Sequence, residues 1–391
     1  MFPQRLKKLR LSMGLSLDEL SVKMGGLVTK QSLSKYETGK AYPSPTVLNK
    51  LAHVLSVKSA YLFSEPKINV EFIAYRKGSG LGIKEQRKVK ARVFCLLEER
   101  IKLQELTGHM VKFDLPIEEF RIDSIEEVEN AANKMRERWK LGQDPISSVT
   151  GVLEDHFVHV FKIDSYKKFD GISAVARNDD GNVIAAAVVS RSDIPGERQR
   201  LNLVHELGHI VLKVSEEIDE EDAAFRFGAA FLFPKEVVYR EFGTKRAFVQ
   251  QEELLLFKKR FGISLQSIIY RLHNLGIIND SHYREWWKNI NRLGWKKKEP
   301  CELEYEEPQW LKQKVIYAFS EGFLTKEESK KILGEDLGTE EPFSLIERRE
   351  FIKLSLEERR RILKEQAEEM SSYYENNTEW KDLQGQDIVE Y

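Results

Sequence analysis

Residues 201–212 read LNLVHELGHIVL. His205 and His209 stand four positions apart, and on a helix positions i and i+4 share a face, so both imidazoles can reach one ion. Glu206 lies beside them without being a ligand, placed to take a proton from water that the ion has activated. A zinc ion can lower the pKa of a bound water to about 7, which suits hydrolysis at neutral pH. The competing reading is a core helix whose histidines are satisfied by local hydrogen bonds. Leu203, Val204, Leu207, Ile210, Val211 and Leu212 surround the trio. Two histidines and a carboxylate are costly passengers in so apolar a helix, and metal ligation accounts for all three at once.

A catalytic zinc usually has three protein ligands and one open position. The next helical stretch, EEDAAFRFGAAFLFP, opens with Glu220, Glu221 and Asp222. A carboxylate there can face back toward the first helix while Ala224, Phe225, Ala229 and Phe231 pack. Spacing alone does not separate the three, and acidic residues favour helix N-termini in any case. Peptide hydrolysis also needs a donor for the developing oxyanion. Arg271 in YRLHNLG is the first candidate, with Tyr270, His273, Arg198 and Arg200 behind it.

The stretches RQRLNLVHELGHIVL and EDAAFRFGAAFLFP resemble the ImmA/IrrE family of metallopeptidases. So do MRERWKLGQDPISSVTGVLED, FDGISA and LLLFKKRFGISLQSIIYRLHNLGII, in the same order over about residues 120–333. The resemblance implies a zincin-like α+β domain with a small antiparallel sheet. It implies zinc, with manganese as the alternative ion, on His205, His209 and Glu221, with Glu206 as the base. It further implies cleavage of a protein substrate such as a transcriptional repressor. Many members carry Asn four residues after the glutamate; this chain has Phe225.

The N-terminal residues point to a different chemistry. Residues 1–62 hold ten basic side chains against three acidic ones, although the whole chain is near neutral at -1. Such a local excess suits a polyanion. Leu6, Leu9 and Met13 repeat at helical spacing up to Gly14, and Leu17, Leu20 and Met24 share a second helical face. Thr29 can start a short helix that exits at Gly39, and Ser44 can cap another that begins at Pro45. RLKKLRLSMGLSLDELSVKMG, TKQSLSKYETGKAYPS and TVLNKLAHVLSV resemble helix-turn-helix repressors of the XRE type. In that fold a short helix enters the major groove. Thr29, Lys30, Gln31, Ser32 and Lys35 would then meet base edges, since Gln pairs with adenine and Lys with guanine. Lys40 would meet phosphate, and Glu37 would pair structurally with Arg10. One such domain reads few bases, so a homodimer on a two-fold operator in double-stranded DNA is expected.

These modules need elements to hold them. GISAVARNDDGNVIAAAVVSR reads as a hairpin turning at Asp180-Gly181, with a further strand at VHVFKI. The hairpin is expected to offer an edge on which a substrate peptide could pair. The predicted organisation is multidomain. An all-α DNA-binding domain (1–65) precedes a linker and helical connector (66–116). A metallopeptidase core (117–240), its helical C-terminal part (241–334) and an acidic tail (335–391) follow. The tail carries sixteen acidic against eight basic residues. Its SLIERREFIKLSLEERRRILKEQAEEM stretch resembles short bacterial antitoxins, which implies a toxin as partner. Cys95 and Cys301 are too few and too far apart for a disulfide framework, and no apolar run approaches the roughly 20 residues of a membrane span. A cytoplasmic location is expected. Two functions fit: a DNA-tethered zinc endopeptidase that cleaves a regulatory protein, or a repressor-antitoxin whose peptidase fold is a scaffold or sensor.

Overall fold

The computed structural model describes residues 1–65, 68–74, 82–108, 113–163, 171–337 and 354–364. They fall into two compact units, Met1–Leu311 and Lys312–Tyr391.

The first unit opens with α1 (Phe2–Ser12), α2 (Leu17–Lys23), α3 (Lys30–Glu37) and α4 (Pro45–Val54), then a 3-10 turn at Ser59–Phe63. The starts lie where cap chemistry puts them. Ser16 and Glu19 form a reciprocal capping box on α2, Thr29 accepts from Ser32 N–H, and Ser44 accepts from Val47 N–H. Leu6, Leu20, Leu33, Leu51 and Leu62 are fully buried at the centre of these helices. Arg10 grips Glu37 through two hydrogen bonds of 2.5 and 2.8 Å, tying α1 to the end of α3.

The stretch expected as linker and helical connector holds β1 (Asn69–Ala74), a strand that was not expected, and the long α5 (Ile83–Leu106), a helix as expected of a connector. One side of α5 meets α1: Arg5 and Glu98 form a buried ion pair at 2.6 Å, Tyr61 donates to the same carboxylate, and Lys88 Nζ donates to Gly14 O at 2.6 Å. The other side places Val89, Val93, Phe94, Leu97 and Ile101 on a sheet. Polar and glycine residues around Asn69–Ala74 mask a strand too short to stand out by periodicity.

After β2 (Phe120–Ile122), α6 (Glu127–Arg138) and α7 (Val149–Asp155) come β3 (Val158–Ile163), β4 (Ile172–Arg177) and β5 (Val183–Arg191). The hairpin forms as expected, with Gly181 at φ 81° in its turn. The sheet order is β1-β4-β5-β3. β3 runs parallel to β5, so the sheet is mixed rather than purely antiparallel. Both hairpin strands are interior, which corrects the expected edge: among the described residues the edges are β1 and β3. The sheet is covered on both faces. Ala185, Ala187 and Val189 pack on the α5 side, and Ala186 and Val188 join the opposite core. Two-sided burial explains why β5 reads as one apolar run.

That opposite core is built on α8 (Gly196–Val211), followed by β6 (Leu212–Val214), which pairs in parallel with β2. α9 (Glu220–Leu232), α10 (Lys235–Phe242), α11 (Gln251–Phe261), α12 (Leu265–Asn274) and α13 (Asp280–Arg292) complete it. An extended strap, residues 299–310, then fixes the front of α8. Gly196 N–H donates to Leu303 O at 2.9 Å, and the Gln199 amide bonds both backbone groups of Glu306 at 2.7 Å. Lys258, fully buried, joins Glu197 at 2.5 Å and Glu299 at 2.9 Å.

α14 (Trp310–Ser320) starts at the division between the units, and α15 (Lys326–Leu333) lies in the second. Residues 356–364 are helical. The tail's Tyr373, Tyr374, Trp380 and Tyr391 lie outside the described residues. No described helix is long and apolar enough to cross a membrane.

Candidate metal centre and nucleic-acid interface

α8 and α9 cross at small residues. A Cβ on Gly208 would come within 3.2 Å of Ala224 Cα, and one on Gly228 within 3.1 Å of Leu201 Cδ1 and 3.4 Å of His205 N. A larger residue at either position would force its neighbours to shift by a few tenths of an ångström. This close crossing carries the first turn of α9 over the histidine pair.

There the three adjacent carboxylates separate. Glu221 Oε2 lies 3.4 Å from His205 Nε2 and its Oε1 lies 3.6 Å from His209 Nε2. The two Nε2 atoms are 3.1 Å apart. Glu220 turns to the far side of the same ring, 3.1 Å from His209 Nδ1. Asp222 receives only the helix start, its N–H donating to the cap Asp219 at 3.0 Å. Among the described residues His205, His209 and Glu221 are a group that could hold a metal ion. Ligands 2.0–2.2 Å from a tetrahedral zinc lie about 3.3–3.6 Å from one another. The glutamate–histidine spacings of 3.4 and 3.6 Å fall in that range and the histidine pair at 3.1 Å lies slightly inside it, so the residues fit such an ion.

Glu206 is 2% exposed beside the pair. Gly171, at the head of β4, faces it so closely that a Cβ would stand 2.2 Å from Glu206 Oε1. The backbone of one strand therefore walls the carboxylate in. Phe225 packs on His205 with ring centroids 4.1 Å apart. The site is dry on its helix side and opens where Glu221 reaches the surface, its side chain 42% exposed.

Arg271 is not brought to this cluster's ligand set, and its guanidinium is occupied. It makes a bidentate pair with Glu129 at 2.6 and 2.7 Å and donates to Phe233 O at 2.8 Å, with 2% exposure. That geometry staples α12 to α6 and the end of α9, and it corrects the oxyanion role expected from sequence. Arg200 is likewise committed, to Glu306 and to Ile146 O at 2.6 Å. His273 pairs with Asp280 at 2.7 Å and stacks on Tyr283. Glu129, Gly171, Gly208 and Glu220 are the residues that sequence reasoning missed in these roles. Gly208 was visible inside HELGH, as a glycine where a helix interior disfavours it, and Gly171 inside FDGISA, just before the strand.

In the N-terminal helices, α3 buries only Leu33. Thr29, Lys30, Gln31, Lys35 and Lys40 are exposed and Ser32 is half-buried, so one polar face is presented outward. Lys30 Nζ pairs with Asp18 at 2.6 Å on the surface. Glu37 faces inward on Arg10, leaving no carboxylate of α3 on the presented face.

Helices held this way, with a short helix facing the surface, form a helix-turn-helix arrangement, and a His-Glu-His helix crossed by a glutamate-bearing one brings together residues that could hold a metal ion. Comparison with known proteins agrees on both. Residues 6–62 match the helix-turn-helix family model, and residues 179–273 match that of the IrrE N-terminal-like domain, the M78 peptidases. The chain thus carries an XRE-type helix-turn-helix domain and an ImmA/IrrE-type domain. Among curated relatives it is similar to the SPbeta prophage-derived uncharacterized HTH-type transcriptional regulator YonR of Bacillus subtilis, 42% identical over 62 residues. That alignment covers 16% of this chain and 56% of the relative, so the chain spans about half the length of the relative it matches.

Proposed function

We propose that the protein is a DNA-binding transcriptional regulator with a zinc-dependent endopeptidase site that cleaves a regulatory protein. The observation that carries the peptidase half is the convergence of His205, His209 and Glu221 at ligand spacing, with Glu206 beside them. Zinc, when bound, would supply Lewis acidity to activate water and polarise the scissile carbonyl. Glu206 would take the proton from the attacking water and return it to the leaving amine. Gly171 would hold that carboxylate in place, because only a backbone without a Cβ leaves it room. A substrate strand would add to β1, an edge of the sheet among the described residues. Ala74 pairs opposite Ser173, two residues from Gly171, so that edge leads to the site.

DNA binding would place α3 in the major groove, with Thr29, Lys30, Gln31, Ser32 and Lys35 on base edges and Lys40 on phosphate. Two copies on a two-fold operator would give a useful site size. A toxin held by residues 335–391 remains a second partner on the strength of the antitoxin-like sequence.

The test is metal analysis of wild type and His205→Ala, paired with cleavage of proteins encoded beside this one. Wild type is expected to hold about one zinc (or manganese) per chain and His205→Ala none. Glu206→Gln should keep the metal and lose turnover by roughly 100-fold or more. A metal-free wild type, or full activity in Glu206→Gln, would overturn the peptidase reading.

A further inference from the structure

We propose that Glu220 is a positioning residue that fixes the orientation and tautomer of His209; the proposal rests on reading the cluster as a metal centre. A neutral imidazole has one N–H and one lone pair, and which nitrogen holds the proton is set by the bond the other makes. Glu220 Oε1 lies 3.1 Å from Nδ1 of His209, and a carboxylate only accepts. The proton therefore belongs on Nδ1, which leaves the lone pair on Nε2. Nε2 is the atom that converges with His205 Nε2 and with Glu221. The ring is held from both ends: one nitrogen faces the ligand cluster, the other a carboxylate.

An acidic residue at the start of α9 needs no special reason, since helix N-termini favour negative charge. Asp219, Glu220, Glu221 and Asp222 all satisfy that preference. What separates Glu220 is where its oxygen lies. Asp219 caps the helix, Asp222 is not part of the cluster, and Glu221 faces the other nitrogens. Neighbours on a helix project about 100° apart, so residues 220 and 221 can clasp one imidazole from two sides. The glycine crossing at Gly208 and Gly228 keeps α9 at that distance from α8. The orienting bond is thus part of the fold.

Carboxylate partners of metal-bound histidines raise metal affinity by 10–100-fold. Glu220 is more than half exposed, so the low end is expected. The experiment measures zinc affinity of the full chain by competition with a chelator, and the visible spectrum of the cobalt-substituted protein. Glu220→Ala should weaken zinc about 10-fold, and Glu220→Gln, which keeps an acceptor but no charge, about threefold. Asp222→Asn removes a neighbouring charge from the same helix start and should change neither readout. The cobalt spectrum should keep its tetrahedral form in every Glu220 variant, because no ligand is lost. Equal zinc affinity in wild type and Glu220→Ala would overturn the proposal and leave the metal centre standing. Loss as complete as in His205→Ala, with an altered cobalt spectrum, would make Glu220 a ligand instead and overturn it too. A wild type that binds no zinc would bring down the metal-centre reading itself.

Discussion

The two candidate sites of this chain are both carried on helices, but they face opposite ways. α3 buries Leu33 and turns Lys30, Gln31 and Lys35 to solvent. α8 buries His205, Glu206 and His209 together with most of its length. A surface helix needs only correct caps and a small apolar stripe to present its side chains. A buried helix that carries polar atoms needs partners for them, and those partners come from far along the chain: Glu221 from α9, Gly171 from β4, the strap at 299–310 for its front. The first site is therefore local in sequence and tolerant, the second distributed and brittle.

The strongest way to break this contrast is at the staples of the buried site. Arg271 and Glu129 are both nearly inaccessible, and removing one partner strands the other charge. Arg271→Ala should cost about 3–5 kcal/mol, read by chemical denaturation. If Arg271 instead served the reaction, the variant would unfold like wild type and fail only in turnover. A smaller effect is expected at Gly171. Gly171→Ala places a methyl where Glu206 Oε1 stands, and the flexible carboxylate must give way. Stability should change by less than about 1 kcal/mol, while peptide cleavage drops about 100-fold, near the loss of a general base. Unchanged cleavage would mean that Glu206 is not held by that wall.

The same contrast explains what could be read without coordinates. The helix starts at Thr29 and Ser44, the Arg10–Glu37 pair and the hairpin turn at Gly181 all depend on residues close in sequence or on a known pattern, and each formed as expected. The histidine pair was legible for the same reason, being one helical turn. Its surroundings were not. A strand of six residues between polar segments, Asn69–Ala74, gave no periodic signal yet completes the sheet edge. The choice among Glu220, Glu221 and Asp222 depended on how closely α9 crosses α8, which two glycines decide. Arg271 looked chemical because arginine is versatile; its role depended on Glu129, which lies 142 residues earlier.

On the exposed side the expected effects are smaller and separable from folding. Lys35 and Gln31 are exposed with no structural partner to lose among the described residues. Lys35→Ala should leave stability within about 0.5 kcal/mol of wild type. It should weaken operator binding about tenfold and lower the salt slope of log Kd by about one. Measured binding that does not vary with salt would remove α3 as a DNA-facing element and with it half of the contrast.

The smallest effect tests whether burial also brings acid sensitivity to one region only. His159 on β3 is wholly buried, stacked on Phe161 and edge-on to Trp310, with centroids 4.7 Å apart in the latter. Burial and the neighbouring Arg100 guanidinium hold its pKa well below the usual histidine value. Arg100 itself is buried over Phe161 and Trp310, and Glu154 is the nearby carboxylate that partly offsets its charge. The folded state therefore keeps His159 neutral. Above a pH of about 6.5 both folded and unfolded chains are neutral there and nothing is lost. As pH falls below 6.5 the unfolded chain takes up a proton that the folded chain refuses, so stability declines by up to about 1.4 kcal/mol per pH unit. His159→Leu removes that term, and its stability, measured between pH 7 and pH 5, should fall less steeply than that of wild type. The helix-turn-helix module holds one histidine, His53, and it lies exposed. Operator binding, which reads that module, should therefore show the same pH profile in wild type and His159→Leu wherever both are folded. A profile shifted by the substitution would mean that α5, which packs on both cores, transmits the change, and that the two regions are less independent than their surfaces suggest.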